Sequence, residues 1–497
     1  MPLETIASVI GSASLRGPLA YRLALGGPSA PAGCADAQVT LGNDEIDEAW
    51  RAQSRTAGRR PEPALGYVPM TNAGGGGRRQ VALEGLLSGM VFQGLLLISG
   101  VLAARLLGPT DRGLLALIWV VTMILTQIGC LGIPIAVTYE LAGGGVTVGT
   151  LAHVLRRILL IQLGGLTVAL AVVLAVLTHV SGLPNGPALV SLAVLPAMVV
   201  QNYGLAAIQG SGSFRSLHVY RLMSSATYAL SLIVGAIAGQ DSLMFVTSAW
   251  VASFVFSAML TAVAVLRLVK GEKTCTDPRT PSRAAMVRFG SSALLGYVSP
   301  TESFRVDQLV VGLALSIRDL GLYVAALAFC NLPRFLAQGL GLVAYPAIAG
   351  APDLATKRRL LWKFVALGTG AAAVVVTPII AFAHPLLNLA FGHEFVAAAA
   401  TLQILLAGTV VLCARRLMAD GLRGAGAPGV GSAAEALSWF WLVPALVVLV
   451  PSMGLEGVAI ALSSSWVVTT CVLLGAAERR GLGVRPRRQG PVADPPS

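Results

Sequence analysis

The chain has 497 residues, 55% of them hydrophobic and only 12% charged, with a mean hydropathy of +0.76 and a formal net charge of +12. A water-soluble domain of this size cannot carry so much apolar surface, so its solvent is a bilayer. The positive charge does not point to nucleic acid, because the basic residues fall in short loops and tails and not on a helix face interleaved with aromatics.

Residues 1–79 are rich in Gly, Ala and Pro, show no regular period and lack the apolar stretch of a signal peptide, which predicts a disordered tail. Within it, Met70-Thr-Asn-Ala-Gly-Gly-Gly-Gly-Arg78-Arg79 reads as an alternative start just ahead of a first membrane helix. Apolar runs separated by Gly, Pro and charge clusters then predict twelve helical spans. They lie near 82–106, 113–141, 155–179, 187–209, 217–238, 243–268, 286–314, 321–348, 360–383, 396–418, 432–451 and 455–477. The longest polar connection follows span six. It divides the chain into six-helix halves, 80–269 and 285–478, joined by a linker at 270–284 and followed by a disordered tail at 479–497.

The loops after even-numbered spans, with their helix ends, hold seventeen Lys and Arg, among them Arg156, Arg157, Arg283, Arg358 and Arg416, whereas the opposite loops hold Arg105, Arg112 and Arg318. Basic residues resist translocation, so the rich side and both termini are expected in the cytoplasm of a bacterial inner membrane. The two halves also share a short motif. Thr110-Asp-Arg-Gly-Leu-Leu-Ala-Leu is matched by Arg318-Asp-Leu-Gly-Leu-Tyr-Val-Ala at Asp111/Asp319, Gly113/Gly321 and Leu114/Leu322. An even span count gives both copies one orientation, so two parallel halves facing each other are expected, as in transporters.

Chemistry-bearing residues are sparse. The histidines (His153, His179, His218, His384, His393) have no metal-ligand spacing, and the cysteines lie far apart and read as small core residues. No nucleophile motif or phosphate-binding glycine loop occurs, and Asp111 in its tight loop reads as a cap. Neither a catalytic residue, a metal nor a cofactor is expected, and the short outer loops leave little room for a sugar-transferring enzyme.

A charge in mid-membrane costs about 2.5–3.5 kcal/mol on insertion scales, so the charged residues inside spans are the informative ones. Arg334 in span eight has Asn331 at i−3 and Gln338 at i+4, a polar stripe expected to face a cavity. In span seven, Tyr297, Thr301, Glu302, Arg305 and Gln308 share one side at helical spacing, Asp307 lies off that arc, and Pro300 predicts a bend. A structural alternative stands beside this: Glu302 neutralises Arg305, and Arg334 pairs with Asp307 as an interhelical tie. Glu84 and Glu435, near span ends, are expected to be solvated, and Thr122, Thr126, Gln127, Gln201 and Asn202 are polar groups of the kind that tie helices together.

Ala104-Arg-Leu-Leu-Gly-Pro-Thr-Asp-Arg-Gly113 resembles the Ala-Arg-x-Leu-Gly-Pro-x-x-x-Gly pattern of bacterial polysaccharide and O-antigen flippases. Arg305-Val-Asp-Gln-Leu-Val-Val-Gly312, Gly321-Leu-Tyr-Val-Ala-Ala326, Tyr345-Pro-Ala-Ile-Ala-Gly350 and Phe391-Gly-His-Glu-Phe395 resemble later segments of the same family, in order. The resemblance implies the multidrug/oligosaccharidyl-lipid/polysaccharide exporter fold, all-α with about twelve transmembrane helices in two six-helix bundles around a V-shaped cavity. It implies an undecaprenyl-diphosphate oligosaccharide as cargo, membrane lipids as surroundings, and a polysaccharide polymerase and glycosyltransferases as partners. Guanidinium groups suit a diphosphate because they bond its oxygens bidentately. Arg334 and Arg305 are therefore the candidate binders, lined by Asn331, Gln338, Thr301 and Gln308, with Asp307 and Glu302 as a coupling or structural pair. One departure is that span one has no arginine at cavity depth, where lipid II flippases use several, and two extra helices of those proteins are missing. The rivals are an organic-cation antiporter of the same superfamily, which would want an acidic cavity, a membrane glycosyltransferase or polymerase, and a non-transporting scaffold.

Overall fold

With no water in a hydrocarbon core, each backbone N–H and C=O has to bond within its own segment, and an apolar run of this length can do so only as a helix. The computed structural model describes residues 75–272, 280–297, 299 and 304–484, all of them helix, turn or connection without a strand. Residues 1–74, with Met70, the middle of the linker (273–279), residues 298 and 300–303, and the end of the C-terminal tail lie outside the described residues. The described residues fall within one compact unit, Tyr67–Ser497.

Eight described helical stretches are long and apolar enough to cross a bilayer. Two of them hold two spans each. Gly75–Gly129, at 55 residues, would run about 80 Å if straight, more than twice the hydrocarbon thickness of about 30 Å. It breaks at Gly108 (φ 68°, ψ 179°), a conformation open essentially to glycine, and Pro109 restarts the helix where its missing N–H is harmless. Pro428–Arg479 breaks in the same way at Gly454 (φ 56°, ψ −129°), which brings Gly457 against the Leu449 carbonyl. Span five is Phe214–Ile237, span eight Ile317–Ala349 and span nine Leu354–Ala381. Span eight starts with a capping box, Ser316 Oγ accepting from Asp319 N at 3.0 Å while Asp319 accepts from Ser316 N at 3.2 Å. Span seven is not one helix. It forms Arg283–Tyr297 and then Val306–Ala314, where a single bent helix was expected. Proline removes an N–H and disfavours helix in the residue before it, so Pro300 in mid-span is the reason available in the sequence.

The matched segments of the two halves meet each other at the end opposite the basic loops. A Cβ on Gly113 would overlap the Ile317 carbonyl oxygen, and one on Gly321 would overlap the Pro109 carbonyl oxygen. The contact is reciprocal, as a two-fold relation between halves requires. Beside it, Arg105 Nε donates to the Ala390 carbonyl at 2.7 Å and its terminal nitrogen to the Leu389 carbonyl, while Gly108 faces the Glu394 carboxylate. Three separate sequence motifs therefore converge on one junction. Nearer the basic end the halves touch again: Gly132 packs on the Gly290 backbone and Tyr139 stacks on Phe289 with centroids 4.7 Å apart, while Arg283 at the end of the linker donates from Nε to the Val154 carbonyl at 2.8 Å.

Several polar residues behave differently from expectation. Glu435 is not simply solvated, because it pairs with Arg415, whose side chain is only 7% exposed. Glu84 pairs with the exposed Arg215 at 3.0 Å. Gln201 ties spans four and six by donating to Ser257 Oγ at 2.7 Å, whereas Thr122 and Thr126 donate to carbonyls four residues back in their own helix. Cys130, Cys330 and Cys413 are buried as expected, but Cys471 is exposed.

Gly321→Ala should lower the melting temperature in detergent, at about 1–3 kcal/mol for overpacking, whereas Gly100→Ala, whose Cβ meets open space, should leave it unchanged. Glu435→Ala leaves the buried Arg415 guanidinium unpaired and should destabilise by about 3–5 kcal/mol, against less than about 1 kcal/mol for Glu84→Ala, as chemical unfolding would measure.

Candidate functional site

The break in span seven sets the geometry of the site. Arg305 stands immediately before the helix Val306–Ala314 with φ 48° and ψ 43°, a left-handed conformation uncommon for a residue with a Cβ. It therefore does not continue a helical face with Gln308, and the arc expected from spacing ends there. Thr301 and Glu302, expected on that arc, lie outside the described residues.

The Arg305 guanidinium carbon lies 5.8 Å from the ring centroid of Trp119. Trp119 belongs to span two, so this contact joins the halves. Arg334 lies over Trp466 of span twelve at 6.0 Å. In both cases the cation rests on the negative face of an indole, an arrangement worth about 0.5–2 kcal/mol according to how far it is desolvated. The N–H donors of a guanidinium, which bind oxygen, lie in its plane.

Asp307 stands within electrostatic reach of both arginines and is only 2% exposed. Tyr323 Oη donates to its Oδ2 at 2.8 Å, and Oδ1 has no hydrogen-bond partner among the described residues. Tyr323 is itself fully buried, so it holds the carboxylate in a fixed position. Gln308 is buried beside it.

The stripe on span eight divides. Asn331 and Arg334 are half-buried, and Gln338 is exposed. The neighbouring Ala337 packs with Ala372 of span nine and Cys413 of span ten, and Cys413 Sγ donates to the Pro333 carbonyl at 3.4 Å. On the next flank Phe335 lies 2.8 Å from where a Cβ on Gly89 of span one would be. Arg334 thus sits on the face of span eight between its own bundle and the opposing half. Among the described residues no cluster of His, Cys, Asp or Glu could hold a metal.

Trp119, Trp466 and Tyr323 were not singled out by sequence reasoning. In an apolar run a tryptophan looks like core, and only the three-dimensional crossing of helices shows it to be an arginine platform. Tyr323 did carry a signal, since it falls inside the segment Gly321–Ala326 quoted for the family resemblance.

This helical fold is shared with solved structures of membrane transporters. A lipid II flippase, MurJ, in an inward closed conformation superposes with a TM-score of 0.64 at 12% identity, over 80% of this chain and 87% of that one. A multidrug resistance MATE family transporter in an inward-facing conformation gives 0.63 at 16% identity, over 80% and 98%. A superfamily transporter from Pyrococcus furiosus, described as having a binding pocket of reverse polarity, gives 0.58 at 15%, over 81% and 95%. Residues 101–400 match the model of the family described as Polysaccharide biosynthesis protein, and the chain belongs to that family. No curated protein sequence matches it.

Tyr323→Phe removes the described side-chain donor to a buried carboxylate and should destabilise by about 1–3 kcal/mol. Combined with Asp307→Asn the loss should be smaller than the sum of the two single variants, which a double-mutant cycle of unfolding free energies would measure.

Proposed function

We propose that the protein is a flippase that moves a polyprenyl-diphosphate-linked oligosaccharide from the cytoplasmic to the outer leaflet, for cell-surface polysaccharide synthesis. The observation that carries this reading is the pair of guanidinium groups at membrane depth, Arg305 and Arg334, each resting on a tryptophan and both close to Asp307. Two guanidinium groups at one site offer in-plane donors to phosphate oxygens. That favours an anionic headgroup over an organic cation and sets the antiporter reading second. The family supports polysaccharide synthesis as the setting, and the fold supports transport over catalysis.

In this reading the protein lies in the bacterial inner membrane with both termini and the basic loops in the cytoplasm. The halves 80–269 and 285–478 rock about their shared cleft. The diphosphate enters from the cytoplasmic side and bonds in the plane of the two guanidinium groups, and Asn331, Gln338, Thr301 and Gln308 bond the sugar or remaining phosphate oxygens. The lipid tail stays in the bilayer. Asp307, with Glu302, balances the cations when the cargo leaves. Such an exchange needs no bond made or broken, in keeping with a protein that is not an enzyme.

The test is purified protein in vesicles given a labelled undecaprenyl-diphosphate oligosaccharide, with exposure at the far leaflet as readout. Losing a bidentate charge-assisted contact of about 3 kcal/mol predicts a roughly 100-fold fall in transport for Arg334→Ala at normal expression, with partial recovery in Arg334→Lys. Transport by Arg334→Ala at the unaltered rate would remove this residue from the site.

A further inference from the structure

The surface between the start of span eleven and the end of span twelve is hollowed into a groove of about 880 Å³. Small residues open it: Gly429 and Ala433 on one wall, Cys471 and Gly475 on the other. At both Gly429 and Gly475 a Cβ would meet only open space. Arg479 and Arg480 close the groove at the basic end, and neither guanidinium makes an ion pair among the described residues. Glu478 lies outside the lining, against Gly483.

The dimensions and charge of this groove single out an occupant. Val467, Cys471, Gly475 and Arg479 follow at four-residue intervals along one helical stripe, a length of about 18 Å. That is close to half of the hydrocarbon thickness, roughly 15 Å, or the depth of one leaflet. A cavity of this size lies within the range of about 300–1,000 Å³ usual for small-molecule sites. An apolar channel one leaflet deep, ending in two arginines at the interface, complements one acyl chain below a phosphate. A polyprenyl tail would be too long for it.

We propose that this groove binds one anionic phospholipid of the leaflet at the basic end, its phosphate held by Arg479 and Arg480 and one acyl chain lying along the Cys471–Gly475 stripe. The site is separate from Arg305 and Arg334 and does not depend on what the protein transports.

Native mass spectrometry of the full chain in detergent, titrated with phosphatidylglycerol or phosphatidylcholine, tests this. Phosphatidylglycerol should bind saturably and more tightly. At about 1 kcal/mol per interfacial arginine, Arg479→Ala with Arg480→Ala should weaken it roughly 30-fold. Gly475→Leu, whose side chain enters open space, should abolish saturable binding without lowering the melting temperature in lipid-free detergent. Alkylation of Cys471, read at the peptide level, should slow when phosphatidylglycerol is added. Equal affinity for the two lipids, or binding indifferent to these variants, would overturn the proposal. So would a change of oligomeric state in Gly475→Leu with lipid binding intact, which would make the groove a seat for another helix. Protection of Cys471 by undecaprenyl phosphate but not by phosphatidylglycerol would overturn it in favour of the cargo's tail.

Discussion

Two helices can bring backbone against backbone only where no Cβ stands between them. At the end opposite the basic loops this condition is met twice, once in each half, by Gly113 against Ile317 and Gly321 against Pro109. In a bilayer there is little hydrophobic drive for helices to associate, so close approach and polar contact hold them instead. The crossing supplies the first, and Arg105 on the carbonyls of residues 389 and 390 supplies the second. Because the crossing fixes how spans one and two face spans seven and eight, it also fixes the distance over which Arg305 reaches Trp119. A bulkier residue at either glycine would alter that reach without touching the site.

The charges of this protein divide by how they are compensated. Arg415 is nearly buried and has a carboxylate partner in Glu435, a local ion pair within the second half. Arg215 and Glu84 form an exposed pair that contributes little. Arg305 and Arg334 each lie over an indole, and the carboxylate near them accepts from a tyrosine. Aromatic faces stabilise a cation less than a carboxylate does. On the proposed reading Arg305 and Arg334 meet the cargo, while the Arg415 pair belongs to the scaffold of the second half.

Much of this was legible in the sequence, for a physical reason. Insertion energy is a sum over local residues, so hydropathy put its twelve expected spans on segments to which the structure assigns helices, eight of the helical stretches being long and apolar enough to cross a bilayer. The short repeat around Gly113 and Gly321 was legible as a likeness between the two halves, but that its two glycines meet the other half's backbone shows only in three dimensions. What local reasoning missed was everything that depends on crossing. Helical spacing put Arg305 and Gln308 on one face, but the left-handed turn at Arg305 interrupts the helix. Hydropathy rated Trp119 and Trp466 as core, though they serve as platforms for cations that come from other helices. Glu435 seemed solvated because its partner lies 20 residues earlier, on another span.

The two arginines are not equivalent, and the difference bears on how binding and movement would be linked. Arg334 and Trp466 both belong to the second half, so their contact survives a rigid rotation of one half against the other. Arg305 belongs to the second half and Trp119 to the first, so the same rotation separates them. A bound diphosphate would hold a cation that has left its aromatic face. Cargo would then favour the state in which the halves have moved apart at this point, and the empty protein the state in which they meet. A ligand shifts a conformational equilibrium only through such differential contacts. On the proposed reading, Arg334 contributes affinity in both states and Arg305 carries the coupling between headgroup and movement.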